Sequence, residues 1–194
     1  MTAMGRPVSF DQTAMLETIQ TLFWDNGYSA TSLDDIMQST GLGKGSLYGA
    51  YGSKQDMYLL AFDDYCEWVV ADIKARLRGD DADAIARLRA YAQSAAGGGA
   101  NARRGCMLAK GTAETAARFP EVDKIIQRTF KAMEREIVNC VRQAQSAGDI
   151  SAERDARTIG VTLLAVVRGM GSLAQAGMSP ASLALAAQGA LGLL

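Results

Sequence analysis

The sequence predicts an all-α fold of about nine helices, with two short helices joined by a glycine-containing turn near its start. Three observations carry that reading. Alanine is abundant and only 3 of the 194 residues are proline, while β-branched runs stay short, a balance that favours helix over sheet. Apolar residues recur at three- and four-residue intervals along most of the chain, the period of a helix with one buried face. Ser, Thr or Asp stands ahead of several of these stretches and Gly behind them, where helix ends need an acceptor or a left-handed residue.

Residues 1–10 read as a flexible tail. A first helix spans about Asp11 to Asn26, closed by Gly27, with Met15, Ile19, Leu22 and Phe23 on one face and Tyr28 anchoring the turn that follows. Thr31-Ser32-Leu33-Asp34 is a capping-box-like start for a second helix whose apolar face is Leu33, Ile36 and Met37. The stretch from Ser39 to Gly43 is a tight turn, and Lys44 to Tyr51 a short third helix broken by Gly52-Ser53. Ser53, with Asp56 three residues on, caps a fourth helix reaching Leu77, its buried side expected at Met57, Leu60, Ala61, Trp68, Val69, Ile73 and Leu77. Two short helices across such a turn, braced by an earlier helix, make either a helix-turn-helix or an ordinary corner of a bundle.

Gly79-Asp80-Asp81 ends the fourth helix, and a fifth spans about Ala82 to Ala96. Residues 97–105 read as a glycine-rich mobile loop. A sixth helix runs from about Cys106 to Phe119, ahead of Pro120. A seventh runs from Glu121 to Ala147, closed by Gly148, along a stripe of Val122, Ile125, Ile126, Phe130, Met133, Ile137, Val141 and Ala144. An eighth spans about Glu153 to Gln175, and a ninth opens at Ser179-Pro180, a cap followed by proline at the first helical position. The last two are rich in Gly and Ala, and the ninth is nearly devoid of charge. Such a helix is an exposed apolar patch in a monomer. A homodimer through this pair, about residues 153–193, is expected; packing onto the chain's own core is the alternative.

The chain has no histidine. This removes every Ser-His, Cys-His and His-metal scheme. No phosphate-binding GxxxxGK[ST] and no HExxH occurs, so neither an enzyme nor a cofactor is expected. No run of 18 apolar residues is found, so no membrane-spanning helix is expected, and no basic-then-apolar leader is visible. Three widely spaced cysteines, Cys66, Cys106 and Cys140, fit free thiols in a reducing cytoplasm. The net charge is −1. Residues 1–54 carry only Arg6, Lys44 and Lys54 against Asp11, Glu17, Asp25, Asp34 and Asp35. Nucleic-acid binding must therefore rest on where the cations sit, not on their sum.

The stretch Gly27-Tyr28-Ser29-Ala30-Thr31-Ser32-Leu33-Asp34-Asp35-Ile36, then Gly41-Leu42-Gly43-Lys44-Gly45-Ser46-Leu47-Tyr48-Gly49-Ala50-Tyr51-Gly52-Ser53-Lys54, resembles the DNA-binding signature of the TetR family of transcriptional regulators. Gly105-Cys106-Met107-Leu108 resembles the start of the sixth helix in some members. The resemblance implies a three-helix helix-turn-helix DNA-binding domain over residues 1–54 and a helical ligand-binding and dimerisation domain over 55–194. It implies a repressor that binds operator DNA as a dimer through helices 8 and 9 and is released by a small-molecule inducer held among helices 4 to 8. It also implies DNA contacts at Thr31, Lys44, Ser46, Tyr48 and Lys54. Gly49, like Ala50, is smaller than the side chain many relatives carry there. A helical adaptor dimer that binds no DNA is the competing reading, supported by the weak basic charge.

For the inducer, Trp68, Phe130, Met133 and Met170 are the expected apolar lining, with simple core packing as the alternative. Arg168 stands in an otherwise apolar run, and a buried arginine needs a partner: an anionic ligand, an acid elsewhere in the chain, or an exposed interface position. Cys106 follows Arg103 and Arg104, with Lys110 one turn on. A helix N-terminus and cations stabilise a thiolate, and relatives with a cysteine here include sensors of oxidants or electrophiles. A small buried residue starting a helix is the plainer alternative.

Overall fold

A computed structural model describes residues 11–96 and 104–192. The expected tail at 1–10 and most of the expected loop at 97–105 lie outside the described residues. Nine α-helices and one short 3-10 turn make up the described chain: α1 (Gln12–Asn26), α2 (Leu33–Thr40), α3 (Lys44–Tyr51), α4 (Lys54–Leu77), the 3-10 turn Asp81–Asp83, α5 (Ala84–Ser94), α6 (Met107–Glu114), α7 (Pro120–Ser146), α8 (Ala156–Gln175) and α9 (Pro180–Leu191).

Local side-chain caps start α1, α2 and α4. Asp11 accepts from the backbone N–H groups of Thr13 and Ala14 to start α1. Reciprocal capping boxes start α2 (Ser32 with Asp35) and α4 (Ser53 with Asp56). Asp35 and Asp56 hold their carboxyls below the usual carboxylate range because each accepts from the serine side chain and backbone N–H. Gly41 closes α2 in the left-handed region at φ 69°, a conformation that costs a side-chain-bearing residue energy. Ile19, Phe23, Ile36 and Leu47 meet in the core of this unit.

α4 and α7 are the long central helices, with α8 laid on α7 and α9 on α5 and α8. Gly160 brings α8 flush against α7: a methyl group there would overlap Val138. Glu136 on α7, only 4% exposed, is matched by a two-pronged guanidinium bond from Arg78 at 3.1 and 3.2 Å. Arg87 donates to the carbonyls of Leu77 and Asp80, closing the end of α4.

Several sequence expectations need correction here. Leu60 and Trp68 are exposed, at 47% and 57%. The buried arc of α4 is instead shifted toward Tyr58, Phe62, Tyr65 and Cys66, because α1, α6 and α7 cover that side. α6 ends at Glu114, not Phe119. Thr115 turns inward, bonding its hydroxyl to the Gly111 carbonyl and to the Tyr58 hydroxyl, and the chain then swings Phe119 against Tyr28. α8 starts three residues later than expected because Asp155, not Glu153, opens it by accepting from the Arg157 and Thr158 N–H groups.

α8 is also long and apolar enough to cross a membrane by length and composition, against the expectation. Its Gly and Ala residues keep the average apolar although no single run is.

Candidate DNA interface and effector cavity

α3 buries Leu47 and Tyr51 and exposes Lys44, Gly45, Tyr48 and Gly49. Ser46 is half-buried. The Lys44 ammonium stands 5.9 Å from the Tyr48 ring centroid. Gly45 and Gly49 have helical backbone with no atom of the chain within 4 Å of an added methyl group. Nothing inside the protein therefore requires glycine at either place, although an exposed helical glycine costs roughly 1 kcal/mol relative to alanine. Lys54 starts α4 beside this face. It is half-buried, with its ammonium 4.4 Å above the Tyr28 ring, and burial pulls its pKa below the ordinary lysine value against the opposing pull of Glu114.

Thr31 departs from expectation. It is fully buried, and its hydroxyl donates to the Gly27 carbonyl at 2.7 Å. A group sealed in this way closes the end of α1 and offers nothing to a phosphate. The acids that weighed against DNA binding are partly accounted for: Asp35 is taken up by its capping box, and Asp25 by an ion pair with Arg104.

The second site is a cavity of about 420 Å³ between α5, α6, α7 and α8, with Leu108, Ala109, Phe130 and Val167 among its apolar walls. Of the expected ligand residues, Cys106, Phe130 and Arg168 line it. Met133 lies fully buried behind them and touches the cavity through Arg168, whose Nη2 meets its Sδ at 3.5 Å. Trp68 sits on the outer side of α4, tilted against Tyr65, and Lys110 points away, toward α1. Ser94, Thr112 and Gln175 also line the cavity; each is a helix-surface polar residue with no local sequence signal.

The charge environment of Cys106 also differs from expectation. Arg104 lies over the Trp24 ring at 3.9 Å and pairs with Asp25. Lys110 donates to the Trp24 carbonyl at 2.7 Å. The Cys106 sulfur instead receives Nη1 of Arg168 and the Tyr65 hydroxyl, each at 3.5 Å. Burial, with Cys106 next to it, pushes the Tyr65 hydroxyl far above the ordinary tyrosine value, so it stays a proton donor.

α6 joins the two sites. On one side it contributes Leu108, Ala109 and Thr112 to the cavity. On the other, Lys110 caps the C-terminal carbonyls of α1, where a cation is favoured by the helix dipole, and Glu114 accepts from the backbone N–H groups of Tyr28 and Ser29 at 3.0 and 2.7 Å. Trp24 donates its indole N–H back to the Gly105 carbonyl. A methyl group at Gly111 would overlap Phe62, so glycine there lets α6 pack closely on α4.

Three helices with an exposed third helix, carried on a larger helical body with a half-open cavity, have the architecture of a helix-turn-helix regulator. Its kind follows from its relatives. Residues 16–61 match the family model for bacterial regulatory proteins of the tetR family, and residues 84–190 match that of the tetracyclin repressor-like C-terminal domain. The chain belongs to the TetR family of DNA-binding transcriptional regulators. It is 26% identical over 177 residues to the HTH-type transcriptional repressor ComR of Escherichia coli, covering 90% of this chain and 84% of ComR. A TetR-family regulator from Cytophaga hutchinsonii superposes with a TM-score of 0.80 at 21% identity, over 93% of this chain and 91% of that one. The regulator CifR, as a cysteine mutant bound to a 26-bp double-stranded operator DNA, superposes at 0.76 and 21% identity, over 96% and 98%.

Proposed function

We propose that this chain is a dimeric repressor that holds operator DNA through α3 and releases it when a small molecule fills the cavity. The observation that carries the reading is the double role of α6, whose one face walls the cavity while the other is bonded to the end of α1. An effector that moves α6 moves the reading head with it. Lys44, Ser46, Tyr48, Gly49 and Lys54 are the proposed DNA contacts, with residues 1–54 as the reading domain and 55–194 as the effector and dimer domain. Operator DNA is the partner, and the cytoplasm the place of action.

The dimer is proposed through an uncharged outer face. On α8 it is Val161, Ala165, Gly169 and Leu173; on α9 it is Ala184, Leu185 and Gly189, all exposed. Gly169 and Gly189 have open space where a side chain would be, which lets a second copy approach closely. Two reading heads on a two-fold axis match two half-sites about one helical turn of DNA apart, roughly 34 Å.

The decisive experiment is fluorescence polarisation of the purified protein with DNA from upstream of its own gene, alongside light scattering. Salt-dependent, saturable binding by a dimer supports the repressor. A dimer without DNA affinity at low salt favours the adaptor reading.

A further inference from the structure

We propose that the effector of this regulator is a small organic carboxylate with an apolar body, its carboxylate seated on Arg168. The inference rests on the effector-released repressor reading and specifies the chemistry of its cavity.

The cavity holds a cation without an anion. Arg168 forms no ion pair among the described residues; its two contacts are the sulfur atoms of Cys106 and Met133, and sulfur is a weak acceptor. Its Nε is buried and has no hydrogen-bond partner. The undescribed stretches hold no Asp or Glu side chain: residues 1–10, 97–103 and 193–194 contain none. Every acidic side chain of the chain is therefore placed, and none reaches Arg168. Arg168 is half-buried, and a guanidinium partly removed from water without a matching anion is costly.

Two tyrosine hydroxyls behind the cavity wall feel the charge of Arg168. The Tyr65 hydroxyl is a donor. The Tyr91 hydroxyl is buried with no partner, and the charge of Arg168 acts on it. The other polar residues of the wall, among them Ser94, Thr112 and Gln175, are neutral, so the guanidinium has no neutralising charge there and an anion is its complement. A carboxylate with an organic body is favoured over a bare inorganic anion because most of the wall's surface is apolar, and a site of about 420 Å³ lies within the range typical of small-molecule pockets. The planar guanidinium fork suits a carboxylate's two oxygens.

The test uses the full-length protein, with hexanoate, octanoate and benzoate as probes and the amides of the same acids as uncharged controls. Thermal-shift and calorimetric titrations read binding directly and need no DNA, so failure here is separable from failure of the repressor reading. At least one acid is expected to raise the melting temperature while its amide does not. Arg168→Met should weaken that acid by roughly tenfold or more, the scale of a charge-assisted hydrogen bond, and Arg168→Lys should retain part of the affinity. Without ligand, Arg168→Met should melt higher than the wild type, because an unmatched charge has been removed. Amides binding as well as acids, no acid binding at all, or an unliganded Arg168→Met that melts lower would each overturn the proposal; the last is the result if an acid of a second copy neutralises Arg168.

Discussion

The reading head and the effector cavity are built on opposite principles. In α1 and α2, the helix starts and the turn between the two helices are matched within a few residues, Asp11 with Thr13, Ser32 with Asp35 and Thr31 with Gly27; only the end of α1 looks outside the unit, to Lys110 and Glu114. At the cavity, Cys106 and Arg168 in the wall and Tyr65 behind it come from three different parts of the chain, and two of the nearby polar atoms have no partner. The head is locally satisfied and can be a rigid tool. The cavity is left incomplete, and an incomplete polar cluster is where a ligand gains most by binding. On the proposed function, mutations in the head should act on DNA affinity, those in the cavity on response, and those at the α8–α9 face on both.

The largest effect is expected at that face. Leu185→Arg places a charge on the most exposed large apolar residue of the described chain, at 69%. It should yield monomers by light scattering with an unchanged helical circular dichroism spectrum, and operator binding should be lost because one head reads one half-site. Ala187, near the middle of α9, is a poor probe. It is 1% exposed and packs with Met170 and Leu183 inside its own chain, so arginine there breaks the fold itself. An intact dimer in Leu185→Arg would move the interface elsewhere.

Next come the two lysines, which separate DNA binding from packing. Lys44→Ala should weaken operator binding and lower the salt slope by about one for each phosphate left without its cation, with unchanged melting, because Lys44 is exposed. Lys54→Ala should do the same but also lose a little stability, about 0.5–1 kcal/mol for a cation over an aromatic ring, since it lies over Tyr28. Unchanged affinity in both variants would remove this face from the DNA.

How far the sequence discloses this architecture follows the same division. The bounds of α3 and α4 are legible because Gly43, Gly52 and Ser53 are local punctuation. The cavity is only partly legible. Arg168 is visible as a charge in an apolar run, but its neighbours Cys106 and Tyr65 meet it only through the packing of α4, α6 and α8. Lys110 is misdirected for the same reason: helical spacing puts it near Cys106, while the end of α1, distant in sequence, offers it unpaired carbonyls. Trp68 and Leu60 are misjudged because α4 has apolar residues around more than half its circumference, and periodicity cannot say which edge neighbours will cover.

A smaller effect with opposite signs tests the exposed glycines of α3. Gly49→Ala should stabilise the protein by about 0.5–1 kcal/mol, since nothing in the chain contacts the added methyl group. It should at the same time weaken operator binding, because a bare backbone at this place lets DNA approach closely. Chemical denaturation and polarisation on one preparation measure both. A variant that is more stable and binds as well as the wild type would show that the glycine serves no contact.

The smallest effect is expected at Glu114, where cavity wall and reading head join. Burial works to raise its pKa, but hydrogen bonds from Ser29 and Tyr28 and the charge of Lys54 outweigh it, so the folded value lies below the ordinary glutamate value of 4.5. A depressed carboxyl contributes stability above its unfolded pKa and loses that contribution as pH falls through the folded value. The latch should thus be fully formed at neutral pH and loosen only below about pH 4.5. Glu114→Gln imitates the protonated state at pH 7. As the residue is exposed, the global cost should stay under about 1 kcal/mol. The local cost should not be hidden: amide hydrogen exchange at Tyr28 and Ser29 should speed up while the α4 and α7 cores keep their protection. If α6 carries the effector signal to α1 through this bond, the variant should still bind its effector but release DNA less completely. Full release with unaltered exchange at Tyr28 and Ser29 would mean that the signal reaches the reading head by another path, of which the packing of α1 on α4 is the nearest.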